Sequence, residues 1–308
     1  MRLTGTTCHK KKVSIALIIL FSLFVTGYFY MTVYACETSV ILGSVTKSNN
    51  TQRHKDMSIT LSETYCDGDN LLVTFIIKKE NLVDLLHEIL LEKDINLCSF
   101  VYEGDCYMMV GSNKMVLQEE VGVPGVSGEF IDESTYVGVE SLSIPNVDSA
   151  NGFPDSFELH ITMKSFGFMC GKEEIKIPTT QKWVYEVSVQ SNKDEVIVYE
   201  ISKENNGHSI DKVTVSPMMI TVYTSYPDIY GDTVDYTVNI YNDSSSEDEV
   251  PRTGHFGKRK GVVKIPRKDV GKELYIYVWD YSSLGEEKNM GRSSAREHAI
   301  VFAKVSIQ

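Results

Sequence analysis

Trp183-Val184-Tyr185-Glu186-Val187-Ser188-Val189-Gln190 alternates without a break. Trp183, Tyr185, Val187 and Val189 fall on one side, and Glu186, Ser188 and Gln190 on the other. Successive side chains of a strand point to opposite faces, so this pattern is a strand with one wet face. The same period recurs downstream. Val196 to Ile201 follows an Asn192-Lys193-Asp194 turn, and Val213-Thr214-Val215 leads through Ser216-Pro217 into Met219 to Thr224. Val234, Tyr236, Val238 and Ile240 alternate with polar residues; Leu274, Ile276 and Val278 alternate with Tyr275, Tyr277 and Trp279. Ala299 to Ile307 closes the chain. Short strands separated by turn signals predict an antiparallel sandwich over residues 180–308. No cysteine follows Cys170, so the Cys…Trp…Cys signature of antibody domains is absent. The expectation is immunoglobulin-like only in the general sense of a two-sheet sandwich.

Upstream, Ile177-Pro178-Thr179-Thr180 marks a seam, and residues 57–179 read as a first β-rich domain with one inserted helix. Met57 to Lys78 is a hairpin turning at Asp67-Gly68-Asp69-Asn70, where Gly, Asp and Asn tolerate positive φ. Leu71 to Ile77 returns as a mostly buried strand. Asn81 to Lys93 carries Leu82, Leu86, Ile89 and Leu90 at helical spacing, with Asn81 as the capping residue. Leu97 to Tyr102 and Cys106 to Val110 predict two strands around Glu103-Gly104-Asp105. Gly122 to Glu129 reads as a long loop and a candidate binding region; Tyr136 to Ile144 and Ser156 to Phe166 read as strands. In the second of these His160 points away from the Phe157, Leu159, Ile161 and Met163 face, toward solvent.

A different pattern governs the start. Val13 to Tyr34 contains no charged residue, no Asn, Gln or His and no Pro. At about 1.5 Å per residue a helix of that length covers about 33 Å, enough for a hydrocarbon core of about 30 Å. Lys10, Lys11 and Lys12 precede it, and no basic residue follows until Lys47. The positive-inside rule then predicts a cytoplasmic tail (1–12), a transmembrane anchor (13–35), a juxtamembrane linker (36–56) and an extracytoplasmic remainder. Two rival readings keep the same side: cleavage after Ala35, or lipidation at Cys36 within Val33-Tyr34-Ala35-Cys36.

The net charge is −12, and beyond residue 36 there are 26 basic against 42 acidic residues, a net −16. That field repels nucleic acid and anionic headgroups. Cys66, Cys98, Cys106 and Cys170 fall on the predicted outer side, where disulfides persist; four cysteines allow three pairings, which the sequence leaves open.

No motif for catalysis or a cofactor survives scrutiny. His87-Glu88 begins a zinc-protease pattern, but position 91 is Leu. Ser127 lacks the spacing of a nucleophile elbow. Asp67, Asp69 and Asn70 supply too few oxygens for a calcium loop and read as a turn. The expectation is a non-enzymatic chain without metal or cofactor. One charge feature remains: Asp243, Glu247, Asp248 and Glu249 precede Arg252, Lys258, Arg259, Lys260, Lys264, Arg267 and Lys268. The acidic and basic runs either neutralise one another across a solvated hairpin, or the basic run forms a patch for a cell-wall polymer or an envelope protein.

Ile59-Thr60-Leu61 through Asp67-Gly68-Asp69-Asn70-Leu71 into Val73-Thr74-Phe75, then Trp183-Val184-Tyr185-Glu186-Val187, then Val213-Thr214-Val215-Ser216-Pro217 into Ile220-Thr221-Val222, together resemble a family. It is the domain-of-unknown-function family that forms the outer part of single-pass membrane proteins in Gram-positive bacteria. Members are often anti-sigma factors whose cytoplasmic helical domain holds the sigma factor. Here about 12 residues precede the apolar stretch, too short for such a domain. The resemblance therefore implies an extracytoplasmic binding or sensing module with an unknown envelope partner, or a regulatory component of an anti-sigma-like pathway acting with a partner membrane protein.

Overall fold

A computed structural model describes residues 45–89, 98–119, 125–144, 152–227, 236–242, 249–250, 252–256, 259–280 and 296–307. The predicted anchor lies outside these residues. Among the described residues no helix is long and apolar enough to cross a membrane.

The protein is mainly β, and among the described residues every strand pairing is antiparallel. The first sheet runs in the order β1 (Thr46–His54), β2 (Met57–Cys66), β3 (Leu71–Lys79), β8 (Thr135–Ser143) and β6 (Gln118–Glu119), with β7 (Ser127–Asp132) also on β8. The second runs β10 (Glu173–Ile177), β9 (Ser156–Cys170), β4 (Cys98–Val110) and β5 (Asn113–Val116), with β11 (Trp183–Gln190) beside β10 on the same edge of β9. These two sheets close on one core that includes Ile59, Phe75, Phe100, Tyr136, Phe168 and Trp183. Helix α1 (Leu82–Ile89) adds Leu82 and Leu86 to it and leaves Asp84 and His87 exposed.

A second core lies between the five-stranded sheet β12 (Ile197–Asn205), β13 (His208–Val215), β14 (Met219–Ser225), β17 (Lys260–Pro266) and β16 (Thr253–Phe256), and a three-stranded sheet. The latter is β15 (Tyr236–Tyr241), β18 (Glu273–Asp280) and β19 (Val301–Ser306). Asn206 and Gly207, both at positive φ, make the two-residue turn from β12 to β13. That is the turn whose twist matches paired strands.

Four expectations change. Thr46–His54, read as linker, is a strand paired with β2 through a Lys55-Asp56 turn. Its side chains are polar because it is an edge strand that buries none of them. Glu103-Gly104-Asp105 is no turn; β4 runs straight through it beside a register shift. Glycine is needed there because a Cβ on Gly104 would lie 1.6 Å from the Thr162 carbonyl oxygen. Ser127–Glu129, expected in a loop, belongs to β7, and Gly125 before it sits at φ +67 against the Phe100 carbonyl. Finally, Trp183–Gln190, read as opening the second domain, pairs with β9 and fills the first core with Trp183, Tyr185, Val187 and Val189. Pro178 and Thr179 thus link two strands of one sheet, and the passage between cores follows Gln190.

The two cores meet on the far face of the first sheet. Tyr65, Leu72 and Val139 pack there against Met218 and Met219, with Val45 alongside. Next to this apolar contact stands the Asp67–Asn70 turn. The Asp67 carboxylate accepts the backbone N–H of Asp69 (3.0 Å) and Asn70 (2.7 Å), which confirms a turn held by its own side chain. Thr214 donates to the Asp69 carboxylate at 3.0 Å, and the Lys264 ammonium donates to the Asp69 carbonyl at 3.2 Å. Burial pushes the Tyr65 and Tyr223 hydroxyls at this joint well above the ordinary tyrosine range.

Candidate functional site

Cys98 and Cys170 face each other in the register of β4 and β9 and form a disulfide across 72 residues of sequence, with Cα atoms 4.2 Å apart. Cys66 and Cys106 stay outside it. Cys106 lies on the same strand as Cys98. Burial pushes the Cys66 thiol up to about 11.

The basic run does not gather at one place. Lys258 lies outside the described residues. Arg252 pairs with Glu249 at 2.6 Å and donates to Thr237 at 3.1 Å. Lys264 is buried at the joint, as described above. Arg259 and Lys260 stand at the start of β17, while Arg267 and Lys268 follow its end. At about 3.3 Å per residue the two pairs are about 20 Å apart along the strand. Arg267 donates to the Val270 carbonyl at 3.1 Å. Among the described residues no group of three or more His, Cys, Asp or Glu is placed to hold a metal.

A cleft of about 260 Å³ opens instead at one end of the first sandwich. β4 and β8 supply its walls: Tyr102, Gly104, Asp105, Cys106 and Tyr107 from one, Glu140 and Leu142 from the other. The crossing segment from β5 to β6 adds Lys114, Val116 and Leu117. Leu117 is tied in place by its N–H, which donates to the Cys106 carbonyl at 2.9 Å.

Glu140 is the unusual member. Tyr136, two strand periods before it, and Leu142, one period after it, fill the inner core, so residue 140 must also face inward. Its side chain has no exposure. The Tyr102 hydroxyl donates to the carboxylate, 2.8 Å from one oxygen and 3.1 Å from the other. A carboxylate in such a place needs donors around it, because leaving a buried charge unmatched costs several kcal/mol.

The rim is charged and aromatic. The Lys114 ammonium lies 3.8 Å over the Tyr107 ring, and Tyr107 stacks on His160 at 4.7 Å with an angle of 7°. His160 in turn sits 3.5 Å from Glu186. This ladder crosses β5, β4, β9 and β11 on the outer face of the sheet. His160 is therefore half-buried under a neighbour rather than turned to open solvent. Asp105 pairs with Lys164 at 3.0 Å, and that ammonium holds its carboxyl below the usual range.

The sequence reading passed over Glu140, Tyr102 and Lys114. One signal was available for the first: a lone acid at an inward position of Tyr136-Val137-Gly138-Val139-Glu140-Ser141-Leu142. Nothing local marks Tyr102 or Lys114 as its neighbours, since both come from strands of the other sheet.

No family model matches the chain, and no curated protein matches it in sequence. Among solved structures it is similar to a conserved domain protein from Bacillus anthracis, at 14% identity and a TM-score of 0.49 over 86% of this chain and 92% of that one.

Proposed function

We propose that the protein is a membrane-anchored, non-enzymatic binding or sensing module on the extracytoplasmic side of a cell membrane. The observation that carries this reading is the Cys98–Cys170 disulfide between directly opposed residues of neighbouring strands. Bonds of this kind form and persist in oxidising compartments and are rare where thiols are kept reduced. The uncharged Val13–Tyr34 stretch behind Lys10, Lys11 and Lys12 supports the same topology from an independent direction. In this reading that stretch is the transmembrane helix and the second sandwich is an immunoglobulin-like module. The cleft beside Glu140 is the receptor surface, and the resemblance to outer modules of Gram-positive single-pass proteins agrees with such a role. The partner is a ligand, polymer or protein of the envelope.

Protease added to intact cells or protoplasts tests the topology. An epitope at the C-terminus is expected to be lost without lysis, and the Cys98–Cys170 bridge to be present before any thiol is exposed to air. An epitope that survives until the cells are lysed would overturn the reading. Crosslinking in intact cells then names the partner; recovery of a membrane signalling protein would point to the regulatory branch of the same proposal.

A further inference from the structure

The outer face of the second sheet carries an ordered row of charge. Val116, Tyr107, His160 and Glu186 stand side by side across β5, β4, β9 and β11, because each is the register partner of the next. Lys114, two residues before Val116 and so on the same face, leans over the Tyr107 ring. The row is positive at its β5 end and negative at its β11 end, with two stacked rings between. Other charges on this face are matched by near neighbours: Asp105 by Lys164, and Glu158 by the Ser188 hydroxyl at 2.6 Å. Lys114 covers a ring rather than a carboxylate, and the Glu186 side chain stays 66% exposed beside His160. Apolar groups share the surface. Val116 is 59% exposed and Val184 38%, and Met109 is half-buried next to Tyr107. Tyrosine and methionine at the centre with charge at the margins is the composition of a protein interface.

The row is complementary to itself in one orientation. Sheets that pack face to face keep their strands nearly aligned, about 10 Å apart. A two-fold axis lying in the face along the strands, between β4 and β9, exchanges the two ends of the row. Lys114 then meets Glu186 of the second copy, and Tyr107 meets its His160. A two-fold axis running across the strands would instead set Lys114 on Lys114 and Glu186 on Glu186, where like charges repel.

The geometry points to a second copy of this chain as the occupant of this face, in an isologous dimer closed by two Lys114–Glu186 pairs around the Tyr107 and His160 rings. Four strands about 4.8 Å apart and about 26 Å long present roughly 500 Å² per copy. That lies at the low end of specific interfaces, so the dimer is a weak one, with a Kd in the micromolar range or above. The interface goes beyond the binding role proposed above and does not depend on it.

Sedimentation equilibrium of the full chain in detergent, from about 1 to about 300 µM, tests the dimer over the range its affinity requires. The unaltered protein is expected to pass from monomer to dimer as its concentration rises. Lys114→Glu and Glu186→Lys both fall on exposed side chains, so the fold is expected to hold, and each alone is expected to weaken the dimer at least tenfold. An equal mixture of the Lys114→Glu chain with the Glu186→Lys chain is expected to recover the dimer, because each copy then offers the charge the other lacks. A chain that stays monomeric across the range, a dimer indifferent to both reversals, or a mixture that fails to recover association would each overturn the inference. Dimers held by another surface, the apolar N-terminal stretch included, give the second of these outcomes, and a face that docks a different protein gives the first. The measurement uses purified protein, so its failure leaves the membrane topology standing, and an inverted topology leaves the dimer standing.

Discussion

β3 and β11 pack into the same core, yet only one of them alternates. Along Trp183–Gln190 buried and exposed residues take strict turns, whereas Leu71–Phe75 is buried at every position. The difference lies in what covers the second face. β11 turns Val184, Glu186, Ser188 and Gln190 to water. The other face of β3 meets Met218 and Met219, which arrive from the second sandwich. An unbroken run of buried, mostly apolar residues is therefore the mark of a strand with two dry faces, even between antiparallel neighbours.

This contrast is open to direct attack. The largest effect is expected from Phe75→Ala, which removes an unexposed ring packed edge-on against Tyr185 at 6.2 Å. Urea unfolding should show a loss of about 4 kcal/mol, the usual cost of emptying an aromatic site in a core. Replacing Cys98 and Cys170 together by Ala frees a 72-residue loop in the unfolded chain, and a loss of about 3 kcal/mol is expected by the same measurement. Leu72→Ala probes the second face of β3, with an expected cost of about 2 kcal/mol. Calorimetry should then resolve two transitions, because the apolar contact that couples the sandwiches is thinned; a single transition at unchanged temperature would mean the joint contributes little.

On β11 smaller effects are expected. Tyr185→Phe deletes the hydroxyl that donates to the Ile59 carbonyl at 3.0 Å, and the loss should be about 1 kcal/mol. Val184→Thr, on the wet face, should change stability by less than about 0.5 kcal/mol. If Val184→Thr cost as much as Leu72→Ala, the distinction between one dry face and two would fail.

The legibility of the sequence follows the same line. Where water meets one face, as in β11, the pattern identified strand and inner face together. The Asp67–Asn70 turn was equally plain, because its side-chain and backbone chemistry is local. Thr46–His54 was obscured because an edge strand with no buried side chain has the composition of a linker. Glu103-Gly104-Asp105 imitated a turn because glycine serves both a turn and a close approach between strands. The cleft was hidden in another way: Tyr102, Lys114 and Glu140 come from three strands in two sheets, and no short-range pattern encodes their meeting.

From its residues alone the chain settles its β character, most of its strands and turns, and its acidic net charge. Those features depend on side chains within a few positions of one another and on which of them touch water. Only the tertiary structure decides that β11 joins the first core, that Cys98 takes Cys170, that β3 has a second dry face and that Glu140 stands at the base of a cleft. Each of these depends on partners tens to hundreds of residues away, chosen by the packing of whole sheets.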